Sequence, residues 1–238
     1  MLKKLFKKTR VYDLGLDRKP GDDHYRAYVG PPKDYDFVSA MVFNLLTCIG
    51  LRQDHKVLDI GCGSLRNGRL LIPYLNRERY IGVDPNKWLI DDGIENEVGE
   101  DLVKIKKPVF SYADSLKDFK EPLGLDYAFA QSVFSHTGLG LLEQWLSEVS
   151  YHLKKDGVLL ATFLGDDEDS QEIGWVYPGC VKFNPDTVCQ IASKHGLHFQ
   201  LLNWFHPRQS WAAFYKDDYD TKLIKDNDIS WNRCCENN

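Results

Sequence analysis

Residues 57–71, VLDIGCGSLRNGRLL, place an acid (Asp59), two glycines flanking Cys62 (Gly61 and Gly63) and a guanidinium (Arg66) directly after an apolar run. Such a turn holds a small charged ligand against exposed backbone, and three ligand chemistries compete for it. A triphosphate loop needs G-x-x-x-x-G-K-S/T; Gly63 and Gly68 have the glycine spacing, but Arg69 and Leu70 follow, so the phosphate lysine and the metal-binding hydroxyl are both missing. A dinucleotide turn needs a small residue three positions after its second glycine, and this chain has the bulk of Arg66 there. What remains is an acidic strand end, a tight turn and a helix start, suited to a cationic ligand with an amino-acid end.

The elements that must carry this turn are legible as alternating patterns. DFVSAMVFNLLTCIG (36–50) has Asp36 as N-cap, apolar residues at helical spacing and Gly50 as a stop. KVLDI reads as a buried strand, and LRNGRLLIPYL as a helix starting near Leu65 with Leu70, Leu71 and Leu75 toward the sheet. RYIGVD, PVFSYAD and LDYAFAQ continue the strands, followed by a helix with Leu142, Trp145, Leu146, Val149 and Leu153 on one face. Asp156-Gly157 turns the chain into VLLATF. Asn184, Pro185 and Gly196 bracket a further helix, and HFQLLNW and QSWAAFY pair as a hairpin. The sum is an α/β fold: a doubly wound, seven-stranded, mainly parallel sheet with an antiparallel C-terminal hairpin, whose ligands belong at the carboxyl ends of the strands.

Bulk properties narrow the function classes. At 238 residues and 43% hydrophobic content, one globular domain with a full core is expected. A net charge of −5 gives no basic footprint for a phosphate backbone, so nucleic acid is disfavoured as a partner. No stretch approaches the ~20 apolar residues of a spanning helix, and no membrane role is expected. The six cysteines, Cys48, Cys62, Cys180, Cys189, Cys234 and Cys235, lack zinc-finger or C-x-x-C spacing and read as mostly buried thiols of a reduced, cytoplasmic protein; no metal is expected. The basic opening MLKKLFKKTR reads as a solvated tail. Residues 1–35 form an N-terminal segment and candidate cofactor lid, 36–216 the main domain, and 217–238 a polar, partly disordered tail.

With its motifs in this order and spacing, the chain resembles the class I S-adenosylmethionine-dependent methyltransferases over about residues 36–215: VLDIGCGS resembles the first motif, YIGVDP the second, YADS the third and LDYAFAQSVFSHT the fourth. The resemblance implies a Rossmann-like fold and S-adenosyl-L-methionine as cofactor. It departs where the family usually has a third glycine, for here Leu65 and Arg66 follow the pair.

On that resemblance the cofactor would meet Asp59, Gly61, Cys62, Gly63, Arg66, Asp84, Pro85, Asp114, Ser115 and Gln131. Glycine backbone permits close approach, and the helix near Leu65 would turn N–H groups toward the methionine carboxylate, with Arg66 or Arg69 adding a bidentate contact. Asp84, 21 positions after Gly63, suits the ribose diol, Asp114 the adenine amino group and Gln131 the floor under the methionine portion. His136 is the candidate base, with Tyr177 a second proton-sharing group. Tyr28, Tyr35, Trp175, Tyr177, His206 and Arg208 are candidate substrate contacts, and the acidic run DDED in the loop 164–183 reads as a solvated face.

QSVF after the fourth strand lacks the N-P-P-Y-like stretch of nucleic-acid amino methylases, so a small-molecule acceptor is expected. Two alternatives stay open: aminocarboxypropyl transfer or cyclisation from the same cofactor, and cofactor binding without catalysis. The acceptor atom and the oligomeric state are not legible in the residues.

Overall fold

A computed structural model describes residues 12–225. The basic opening segment, Cys234, Cys235 and the end of the polar tail lie outside the described residues. In chain order the helices are α1 (Tyr25–Tyr28), α2 (Tyr35–Cys48), α3 (Gly68–Tyr74), α4 (Lys87–Gly93), α5 (Glu100–Lys106), α6 (Leu139–His152), α7 (Pro185–Lys194) and α8 (Lys222–Lys225). The strands are β1 (Val57–Ile60), β2 (Tyr80–Val83), β3 (Val109–Ser111), β4 (Leu125–Ala130), β5 (Leu153–Phe163), β6 (His198–Leu202) and β7 (Ser210–Tyr215).

The seven strands form one sheet in the order β3-β2-β1-β4-β5-β7-β6, with β7 antiparallel to both β5 and β6 and the remaining pairings parallel. Both faces are covered, which is why β1, β2 and most of β4 read as continuous apolar runs. Val57, Phe129, Val158 and Leu160 face α2 and α3, whereas Leu58, Ile60, Ala128, Ala130 and Leu159 face α6 and α7. On α2 the buried set Val38, Met41, Val42, Leu45 and Leu46 has the i, i+3, i+4, i+7, i+8 spacing of one helical face. From β1 the chain builds outward to β3 and then crosses back to β4, so connections diverge above β1 and β4 and leave a crevice at their carboxyl ends.

Five local expectations are corrected. The N-cap of α2 is Asp34, and Asp36 sits in the first turn, where it pairs with Arg69 at 2.8 Å. Helix α3 begins at Gly68 rather than near Leu65, because Leu65 takes a left-handed conformation (φ 58°) that no helix continues through; of its apolar residues Leu71, Ile72 and Leu75 are buried and Leu70 is only partly so. Strand β5 starts directly after α6, at Leu153, and Asp156-Gly157 lies inside it: Leu153 pairs with Leu125, and the register resumes at Val158 opposite Tyr127, so the intervening polar residues bulge outward. Of the described cysteines only Cys62 is buried, with Cys48 and Cys180 exposed and Cys189 intermediate; all four are free. Packing also continues past Lys216, since Tyr219 and Ile224 are buried in the core. No helix among the described residues is long and apolar enough to cross a membrane.

Candidate active site

The glycine turn is built to let other parts of the chain come close. Gly61 and Gly63 have φ of 65° and 50°, which side-chain-bearing residues rarely adopt, and a Cβ there would lie 2.6 Å from Val133 Cγ2 and 2.7 Å from Val29 Cγ1 respectively. Asp84, at the end of β2, locks onto this turn: its Oδ2 accepts from Gly63 N at 3.0 Å, and its Oδ1 accepts from Asn86 N at 2.8 Å and Asn86 Nδ2 at 3.0 Å. Burial raises the Asp84 pKa, against the lowering effect of the Asn86 and Gly63 bonds. Cys62 points the other way, into the core beneath α3.

Asp59 is 1% exposed and accepts from Tyr80 Oη at 2.7 Å. Burial pushes its pKa up to about 8, with the Tyr80 bond and the charge of Arg66 opposing. Asp59 is thus a buried acid held by Tyr80 near the end of β1, just before the glycine turn.

Arg66 is the buried cation of the site, 8% exposed. It donates through Nη1 to Val29 O at 2.9 Å and through Nη2 to Gln131 Oε1, both neutral acceptors, while its buried Nε has no partner. Arg69 is committed elsewhere: it bonds Asp36 and Glu97, so it is not available as a carboxylate clamp. Gln131, at the end of β4, turns its amide nitrogen to Ser132 Oγ (2.5 Å) and toward His206 Nε2 (3.2 Å). His206 comes from the connection between β6 and β7, which also brings Arg208, half-exposed and 3.7 Å from Asp34.

The loop of residues 164–183 folds back on the segment after β4. Val181 N donates to Ser135 O at 2.8 Å, Val176 N to His136 O at 2.9 Å and Gly138 N to Gly174 O at 2.8 Å. These bonds gather an aromatic cluster. The Tyr177 ring lies 5.0 Å from His136, 6.2 Å from Trp175 and 5.4 Å from Tyr28, and Tyr28 meets Trp88 of α4 at 5.3 Å. Trp175 is 56% exposed, a planar face open to solvent. The acidic run closes the loop: Asp166 pairs with Lys182 at 2.6 Å, and Asp169 accepts from Asn184 N and Thr187 Oγ1 at the start of α7.

His136 is oriented by backbone. Its Nδ1 lies 2.6 Å from Gly179 O, and since a carbonyl only accepts, Nδ1 carries the proton and Nε2 keeps its lone pair. Burial lowers its pKa, partly offset by the Gly179 bond. Tyr177 donates its hydroxyl proton to the Tyr28 carbonyl, and burial raises its pKa.

Not every expected residue joins this group. Tyr35 is fully buried: its hydroxyl donates to Ser64 O at 3.0 Å and its ring lies 4.4 Å from the Arg26 guanidinium, so it braces the turn from below and offers no surface to a substrate. Asp114 is exposed, Ser115 half-buried and Pro85 exposed, all along the edge beyond β2 and β3. What sequence reasoning missed is a charged clasp. Glu97, on the π-turn Ile94–Val98, accepts from Arg26 Nη2 at 2.6 Å, Arg26 Nε at 2.9 Å and Tyr25 Oη at 3.1 Å. Trp88 was missed as well; an aromatic three residues past the end of the YIGVDP motif was the one available signal. Among the described residues no group of three or more His, Cys, Asp or Glu side chains is placed to hold a metal ion.

Comparison with known proteins agrees with this geometry. Residues 58–159 match a family model described as a methyltransferase domain. Similar solved structures include the magnesium protoporphyrin IX methyltransferase of Synechocystis PCC 6803 with bound SAH (TM-score 0.59, 15% identity, covering 78% of this chain and 85% of that one). A TehB-like SAM-dependent methyltransferase from Corynebacterium glutamicum has TM-score 0.55 and 20% identity over 82% of this chain and 98% of that one. The cyclase SpnF shares the fold at TM-score 0.57 and 13% identity, covering 81% of this chain and 84% of that one. Residues 58–159 thus match the methyltransferase-domain model, and the seven-stranded sheet has the Rossmann-like fold that these solved structures share.

Proposed function

We propose that the protein transfers a methyl group from S-adenosylmethionine to an oxygen or nitrogen of a small-molecule acceptor. The observation that carries this reading is the crevice floor above β1 and β4, where a glycine turn, a buried acid with acceptor capacity to spare and a buried arginine with an orphaned Nε stand side by side. Those groups fit the cofactor: Asp84 the ribose diol, Gly61 and Gly63 the close backbone approach, Arg66 Nε the amino-acid carboxylate, with Gln131 beneath the methionine portion. The exposed Asp114, with Ser115 and Pro85, would meet the adenine side. Bound there, the cofactor supplies an activated methyl on a sulfonium.

The remaining work falls to the chain's own residues. His136 accepts the acceptor's proton at Nε2, the nitrogen left free by the Gly179 contact. Tyr28, Trp175 and Tyr177 give the acceptor an apolar, planar wall, and the N-terminal segment, with Tyr28 and Val29 over the turn, serves as the lid that excludes water. The net charge of −5 and the free thiols among the described residues support a cytoplasmic protein with neither nucleic acid nor membrane as partner.

Calorimetry with S-adenosylhomocysteine, followed by turnover of S-adenosylmethionine against acceptor pools, tests the reading. The expected nucleoside product is S-adenosylhomocysteine. Methylthioadenosine would mean aminocarboxypropyl chemistry, and binding without any product would leave a cofactor-holding protein.

A further inference from the structure

One contact in the crevice is wrong for the protein alone. Backbone N–H groups only donate, and two of them, Gln209 N at 2.9 Å and Arg208 N at 3.2 Å, point at Nδ1 of His206. Nδ1 is therefore the acceptor, and the neutral ring carries its proton on Nε2. That Nε2–H faces the side-chain amide nitrogen of Gln131 at 3.2 Å, so two donors oppose each other with no acceptor between them. Rotating the Gln131 amide does not relieve this, because its oxygen already accepts from Arg66 Nη2 and the exchange would set nitrogen against the guanidinium.

Protonating His206 would only add a donor, and the ring resists it: burial, then the charges of Arg66 and Arg208, bring its pKa down to about 4. The nearby carboxylates do not neutralise the cluster. Asp59 has its pKa raised to about 8, and Asp34 is a distant partner of Arg208 at 3.7 Å. Donors from three elements (Arg66 after β1, Gln131 after β4, His206 and Arg208 between β6 and β7) thus converge on one spot with surplus positive charge.

Resting on the cofactor reading above, we propose that this cluster recognises the acceptor, and that the acceptor carries a carboxylate. One carboxylate oxygen accepts from His206 Nε2–H and the Gln131 amide together, and the guanidinium of Arg208 supplies the opposing charge at the rim.

The test titrates benzoate, and its neutral isostere benzamide, into full-length protein saturated with S-adenosylhomocysteine, following the His206 ring nitrogens by nitrogen-15 NMR. The His206 signals are assigned by their loss in His206→Gln. The expected result is a proton on Nε2 and a saturable shift of that nitrogen with benzoate at least tenfold stronger in affinity than with benzamide. Arg208→Gln, at an exposed position, should weaken benzoate at least tenfold and leave S-adenosylhomocysteine affinity unchanged. Equal response to benzoate and benzamide, no response to either, or benzoate binding only when S-adenosylhomocysteine is absent each overturn the proposal, the last by giving the donors to the cofactor's own carboxylate. If S-adenosylhomocysteine itself does not bind, the cofactor reading fails, and the benzoate titration on the free protein still decides whether the cluster is an oxyanion site.

Discussion

Two histidines border the crevice, and the backbone sets them in opposite tautomers. His136, after β4, gives its Nδ1 proton to a carbonyl and keeps a lone pair on Nε2. His206, between β6 and β7, has Nδ1 filled by two amide donors and presents Nε2–H. Identical side chains are thereby made a proton acceptor in one place and a proton donor in the other. Residue type suggested histidine chemistry; only the backbone around each ring says which chemistry.

The sharpest way to break this contrast is to remove the acceptor. His136→Ala should lower turnover by about 10²- to 10³-fold, the usual worth of a positioned base. Cofactor affinity by calorimetry should hold, since no cofactor contact is assigned to His136. Wild-type kcat/KM should fall as pH drops below the ordinary histidine value of about 6.5, because burial lowers the His136 pKa and only the neutral ring can accept. His206 should add no second inflection between about pH 5 and 8, its pKa being held near 4. Retained turnover in His136→Ala, or an acid limb that survives the substitution, would dismiss it as the base.

The two histidine regions are tied together through the N-terminal segment, which the next variant cuts. Tyr28 O accepts from Tyr177, beside His136, and Val29 O accepts from Arg66, which holds Gln131 against His206. The segment is itself pinned by Arg26 on Glu97, side chains only 7% and 6% exposed. Glu97→Ala strands a buried guanidinium and should cost about 3 kcal/mol of stability, read from chemical denaturation. It should also weaken S-adenosylhomocysteine binding, because Val29 loses its anchorage over the glycine turn. A loss of stability with full cofactor affinity would mean the segment is no lid.

His206→Gln removes the donor half of the contrast. It should raise the acceptor's KM roughly tenfold, the worth of about one charge-assisted hydrogen bond, while leaving the acid limb of the pH profile where it was. A shift of that limb would show His206, rather than His136, to be the titrating group.

Much of this arrangement was open to reading in the residues, and the boundary has a physical cause. Strands β1, β2 and β4 and the glycine turn were legible because burial on both faces forces apolar runs, and the turn needs residues without Cβ. The helix of residues 185–194 was legible from Asn184 and Pro185, and Asn184 does cap it, accepting from Asp186 N at 2.9 Å. Hidden were features fixed by residues far apart in sequence. Tyr35 is spaced like a lid aromatic yet is swallowed beneath Ser64. Asp59 looks like a charge until full burial raises its pKa. The Arg26–Glu97 clasp joins positions 71 residues apart, and each tautomer depends on a loop backbone that no local pattern announces.

The smallest expected effect separates orientation from proton transfer beside His136. Tyr177 looks like a proton-sharing group by type, but its hydroxyl proton is spent on the Tyr28 carbonyl and burial raises its pKa, so it has no proton to trade near neutrality. Its contribution is then the ring, 5.0 Å from His136 and 5.4 Å from Tyr28, plus one neutral hydrogen bond. Tyr177→Phe keeps the ring and deletes the bond, worth about 1 kcal/mol net. Turnover should stay within about threefold, with the pH profile unmoved and a modest loss of cofactor affinity as the lid loosens. A fall of about 10²-fold would instead mean that Tyr177 moves a proton. The chemistry of this corner would then be shared between a ring nitrogen and a phenol rather than resting on His136.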